Sequence, residues 1–119
     1  MTTEYFEPSV EFEIDQGCSY FHIIQLFDLL ELALDITGCS ARMQFRSTVQ
    51  SANVLLEAST TNSKLALGTT DGNVIVTLLP TDTALLKSDC VFDCHLTFLT
   101  GEIVKAFSGK VSLNPAVTR

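Results

Sequence analysis

The chain has no tryptophan, only two tyrosines, three prolines and seven basic residues among its 119. Each shortage excludes something. Sugar sites are commonly built on aromatic platforms, and a chain with no Trp and two Tyr offers few. Seven basic against fourteen acidic residues leave a net charge of -7, which repels phosphate backbones and anionic lipid. No nucleic-acid or membrane partner is therefore expected. Long apolar runs are also missing: the stretch from Ile23 to Ile36 is interrupted by Gln25, Asp28, Glu31 and Asp35, so it cannot span a bilayer. The opening Met-Thr-Thr-Glu-Tyr-Phe-Glu has no basic leader followed by an apolar run, and export by that route is not expected.

Motifs that carry chemistry are scarce as well. Gly68 and Gly72 flank a turn and open no helix after a strand, so they are no phosphate cradle. Asp71, between them, lacks the further oxygen ligands of a calcium loop and reads as a turn former. Asp93, Cys94 and His95 are strand neighbours whose side chains alternate between faces, so Cys94 and His95 cannot form a nucleophile–base pair. Cys90 and Cys94 lie about 13 Å apart along a strand rising ~3.3 Å per residue, too far to share a disulfide or a zinc ion. Cys18 and Cys39 sit in separate Gly-Cys-Ser triplets without zinc-knuckle spacing. The four cysteines read as reduced, small buried hydrophobes. No enzyme, cofactor or metal site is expected.

What the chain does have is period-two alternation. Its clearest stretch runs from Cys90 to Phe98, where Phe92, Cys94, Leu96 and Phe98 alternate with Asp93, His95 and Thr97. After the short loop Thr100 to Glu102, apolar residues resume from Ile103 to Leu113, which predicts a hairpin at the centre of the fold. In that second arm the inward parity of Val104 and Ala106 gives way to that of Gly109, Val111 and Leu113, which predicts a bulge near Phe107. Further strands are expected over Val10 to Asp15, Ser19 to Phe27, Ala41 to Arg46 and Val54 to Ala58, with a hairpin of Lys64 to Leu67 and Asn73 to Leu79 around an Asp-Gly turn. Between Tyr20 and Asp35 the local pattern also fits a buried helix, but the aromatic and β-branched opening favours a strand followed by an apolar turn at Asp28 to Glu31. Thr81 to Leu86 reads as one helical turn capped by Thr81 or Asp82. The sum is an all-β, antiparallel, immunoglobulin-like sandwich of seven to eight strands with one short helical turn, as a single domain over residues 1–119. The acidic N-terminus (Glu4, Glu7, Glu11, Glu13, Asp15) reads as a solvated face, and the tail from Asn114 to Arg119 as an exposed extension.

Two surfaces are candidates for contact. An apolar turn carrying Leu29 and Leu30 would form a patch if exposed. Arg42 and Arg46, on the outer face of one strand with Gln44 between them, can meet carboxylates of a partner or of the chain's own acidic strands, and the internal pairing is favoured.

The stretch Asp35-Ile36-Thr37-Gly38-Cys39-Ser40-Ala41-Arg42-Met43-Gln44-Phe45-Arg46-Ser47 resembles a "D-L-T-G-Y-T-A-R-M-Q-I-R-S" segment of small tailed-bacteriophage and prophage proteins. Gln16-Gly17, Val54 to Glu57, Val76 to Leu78, Val91 to Asp93, Gly101 to Ile103 and Gly109 to Arg119 are similar to further segments of the same family, in the same order. The chain departs from the family pattern at Cys39, Cys90 and Cys94 and at the apolar Leu29-Leu30. The resemblance implies a virion protein similar to the immunoglobulin-like N-terminal module of phage baseplate and tail proteins. It would assemble in the host cytoplasm and act without catalysis through contacts with other virion proteins, in a homo-oligomer or symmetric array. A host-surface recognition module and a capsid decoration or neck protein are the alternatives.

Overall fold

The computed structural model describes residues 9–117, so Glu4, Glu7, Thr118 and Arg119 lie outside the described residues. Eight strands and one helical turn follow within them: β1 Ser9–Asp15, β2 Tyr20–Gln25, β3 Ser40–Arg46, β4 Leu56–Ser59, β5 Leu65–Leu67, β6 Asn73–Leu78, α1 Pro80–Thr83, β7 Cys90–Thr97 and β8 Ile103–Asn114. They form two layers, a five-stranded sheet of order β1-β8-β7-β3-β4 and a three-stranded sheet of order β2-β6-β5. Two packed sheets with this interleaved order make the protein an immunoglobulin-like β-sandwich.

The hairpin of β7 and β8 occupies the middle of the larger sheet. Its inward residues Phe92, Cys94 and Leu96 are buried while His95 is exposed, as alternation requires. The predicted bulge is present: Cys94 pairs with Phe107 but His95 pairs with Lys105, leaving Ala106 as the extra residue. Ala106 and Phe107 are therefore both buried in succession, which a regular strand would not allow. Four phenylalanines meet at the centre. Phe92 stacks on Phe12 with ring centres 4.5 Å apart and lies 5.5 Å from Phe45 and 6.2 Å from Phe107. Burying each such side chain contributes about 1.5–3 kcal/mol, and Phe12 carries the cluster across to the other layer, its ring 5.2 Å from that of Tyr20 and 5.1 Å from that of His22.

Every strand pairing is antiparallel except one: β1 runs parallel to β8 along the edge of the larger sheet. The chain leaves β1 through the Gln16-Gly17 turn into the opposite layer and never folds back beside it, so β1 is free to take the open edge of β8 in either sense. Gly109 makes that pairing possible, because a Cβ there would fall on the carbonyl of Val10. At the other hairpin Gly72 has φ +68°, and a Cβ would meet the Leu26 carbonyl oxygen at 2.5 Å, so the Asp-Gly turn has no room for a side chain.

Several elements differ from expectation in detail. The Tyr20 to Leu34 stretch is β2 followed by a tight reversal in which Phe27 bridges Ala33 and the Asp28 carboxylate accepts the N–H groups of Leu30 and Leu32. Those bonds stabilise a turn, not a helix. The helical turn starts one residue earlier than Thr81 and its cap is Leu79, not Thr81 or Asp82. Asp82 stands three residues inside, where its carboxylate accepts the Leu79 N–H at 2.8 Å and pairs with the Lys64 ammonium at 3.0 Å. The strand expected at Val54 to Ala58 forms at Leu56–Ser59, because Val54 faces solvent. Of the cysteines, Cys90 and Cys94 are core residues, Cys39 is half-buried, and Cys18 is exposed in the turn before β2, against the expectation that all four are buried. All four are free thiols.

Candidate functional site

The two layers carry charge very unequally. The five-stranded sheet holds Glu11, Glu13 and Asp15 on β1, Arg42 and Arg46 on β3, Glu57 on β4, Asp93 on β7, and Lys105 and Lys110 on β8. The strands of the three-stranded sheet contain no Asp, Glu, Lys or Arg at all.

On the larger sheet the two arginines are drawn into the protein's own network. Arg42 lies 3.9 Å from the Glu57 carboxylate, and Gln44 donates to the same carboxylate at 2.8 Å. Arg46 donates to the side-chain oxygen of Gln44 and to the carbonyl of Ser51, each at 2.8 Å. This internal pairing is the favoured of the two readings of that face. An open polar groove of about 590 Å³ runs beside it, lined in part by Arg42, Glu57, Asn62, Thr97 and His95. His95 lies 3.6 Å from the Asp93 carboxylate two residues away on the same face. The Cys94 thiol does not line this groove, and burial pushes its pKa up to about 12. Among the described residues, no three His, Cys, Asp or Glu side chains converge as a metal site.

His22 and His95 are not brought together. His22 is half-buried between the layers, its ring 5.1 Å from Phe12 and parallel to that of Tyr20. His95 is on the outer face of the larger sheet.

The smaller sheet is the contrasting surface. Leu29 and Leu30 are exposed in the turn after β2, at 49% and 78%, together with Leu32. The structure therefore separates the candidates: the leucines belong to the smaller layer, the arginines to the outer face of the larger one. It also adds residues that sequence reasoning missed. Phe21 and Ile23 face outward from β2, at 62% and 49% exposure, and Ile23 stands opposite Ile75 of β6, which in turn stands opposite Ala66 of β5. These side chains share the outer face of the smaller sheet, and the exposed leucines stand in the turn that follows β2, beside Asp28 and Glu31.

No family model matches the chain, and no curated protein sequence matches it. Among solved structures the chain is similar to a Drosophila protein described as OTK, extracellular domains 3-5, with a TM-score of 0.40 and 11% identity. That likeness covers 93% of this chain and 35% of the other, so the chain spans about a third of that structure's length.

Proposed function

We propose that the protein is a non-enzymatic assembly module of a tailed-phage virion, associated with the tail or baseplate, that works by docking an apolar surface on other virion proteins. One observation carries this reading: in a chain with net charge -7 the three strands of one layer hold no Asp, Glu, Lys or Arg, and Phe21 and Ile23 on β2 and Leu29, Leu30 and Leu32 in the turn after it are exposed. Such side chains cost solubility when left in water and stabilise a complex when covered, at roughly 25 cal/mol per Å² of apolar area removed from solvent. The similarity of the Asp35 to Ser47 stretch and of the Gly109 to Arg119 stretch to phage virion proteins supports the setting, and repeated copies on a symmetric particle would multiply weak contacts.

The double substitution Leu29→Ser, Leu30→Ser tests it, because both side chains are exposed and their loss leaves the core intact. Particles made with this variant in place of the wild type should lack the protein or be tail-defective by electron microscopy, while the isolated variant melts as the wild type does. Intact, infective particles carrying a normal amount of the variant would count against the reading.

A further inference from the structure

We propose that a second groove, across the outer face of the larger sheet, is a docking site for an extended acidic segment of a partner protein. It lies on the opposite layer from the apolar surface and has the opposite chemistry, so either site can fail without the other.

The groove has a volume of about 380 Å³ and is lined in part by Arg46, Val49, Val91, Asp93, Lys105 and Lys110. Three of the chain's seven basic residues therefore meet a single acid there, in a protein whose net charge is -7. The bulge in β8 makes this concentration possible. Lys105 and Lys110 are five positions apart, and a regular strand would point them to opposite faces. The extra residue Ala106 reverses the parity, so both are exposed along the same groove.

The protein does not neutralise these cations from within. Arg46 donates to the Gln44 side chain and the Ser51 carbonyl, both uncharged oxygens, which hold the guanidinium in place and leave its charge unmatched. Among the described residues neither Arg46 nor Lys110 forms an ion pair, and the Asp93 carboxylate lies 3.6 Å from His95.

Spacing selects the ligand. Arg46 pairs with Val91 across β3 and β7, and Val91 with Lys110 across β7 and β8. The two cations thus stand two strand spacings apart, about 10 Å, with an apolar side chain between them. One phosphate or one carboxylate cannot reach both. An extended peptide sets alternate side chains on one face about 7 Å apart, so two glutamates at alternate positions reach both cations through their flexible stems. The exposed Val49 adds an apolar contact in the same groove. Screening acts over about 8 Å at physiological ionic strength, so a short acidic segment seated there responds to the groove and little to the remoter acids. A nucleic acid would bring far more charge than the groove can match.

The test titrates the full chain, followed by NMR, with the peptide acetyl-Glu-Val-Glu-Val-Glu-amide at low ionic strength. Saturable shifts are expected at the amides of Val91, Asp93 and Lys110. Lys110→Glu should raise the dissociation constant about tenfold or more. Lys87→Glu alters the net charge equally outside the groove and should change the constant less than about twofold. Absence of saturable binding overturns the proposal, and so does equal binding of the Gln-Val-Gln-Val-Gln peptide. Equal damage from Lys87→Glu overturns it too, because total charge and not the groove would then govern binding. Displacement of the peptide by an equal concentration of inorganic phosphate would refute the two-cation spacing. Binding that appears only after removal of residues 1–8 would make the chain's own Glu4 and Glu7 the occupants in place of a partner. Each of these failures leaves the reading of the apolar surface standing, since particles carrying Leu29→Ser, Leu30→Ser test that reading separately.

Discussion

Adding one methyl group at Gly109 should part the first strand from the rest of the sheet. Gly109 stands opposite Val10 on β1 and opposite Phe92 on β7. A Cβ there would fall on the Val10 carbonyl and come within 2.9 Å of Phe92 Cζ. The ring can tilt, but a main-chain carbonyl in the ladder cannot step aside without taking β1 with it. Overpacking of this kind costs about 1–3 kcal/mol, or roughly 4–12 °C in Tm for a domain of about this size. Gly101→Ala is the control. Its φ of +91° makes any side chain unfavourable, yet nothing lies within 4 Å, so its cost is limited to backbone strain of about 1 kcal/mol. Urea unfolding should rank Gly109→Ala as the more destabilised, with hydrogen exchange quickened first in β1. A Gly109→Ala protein as stable as wild type, or one whose β1 amides remain as protected as those of β3, would refute the argument.

Truncating Phe92 to Ala removes the ring that touches Phe12, Phe45 and Phe107, and calorimetry should show a loss of about 3–5 kcal/mol. Burial pushes the Cys90 thiol up to about 11 and Cys94 to about 12, each helped by a neighbouring aspartate, and burial also raises Cys39. At pH 8 a thiol reagent should therefore label exposed Cys18 first and reach Cys90 and Cys94 only on unfolding; rapid labelling of all four in the folded protein would contradict the core assignment. Hydrogen bonds from the Thr37 hydroxyl and then the Thr37 N–H hold Asp35 below the usual carboxylate range. A depressed value means that the turn is favoured above the unfolded carboxylate range and loses that support as pH falls through the lowered value. NMR titration of the Thr37 amide should thus show a midpoint below that of an unstructured aspartate, and a midpoint at or above it would be the wrong sign.

Strands whose two faces differ are legible in the sequence, and strands whose faces are alike are not. Ala41 to Arg46 and Cys90 to Thr97 alternate apolar with polar, so position, facing and even the bulge near Phe107 could be read from spacing. In β2 the alternation fails because Phe21 and Ile23 are as apolar as Ile24, and no rule of period two can say which of them faces water. The same excess of apolar residues made the run through Leu34 look helical, although Asp28 turns the chain with two side-chain bonds that periodicity does not record. Leu29 and Leu30 stood out only as apolar residues in a turn. That Ile23 stands beside Ile75 depends on the β2–β6 register, which joins residues 52 positions apart. The parallel placement of β1 was likewise invisible, because strand direction at an edge leaves no mark on side-chain spacing.

That parallel edge has a mechanical consequence. β1 and β8 run side by side over seven residue pairs, with Ser9 beside Ser108 at one end and Asp15 beside Asn114 at the other. Tension entering ahead of Ser9 and leaving beyond Asn114 pulls the two strands lengthwise past each other. Their ladder must then yield all at once, as a lap joint does under shear, whereas strands peeled from one end give way bond by bond. A domain loaded in this way holds against forces that would unzip a terminal hairpin.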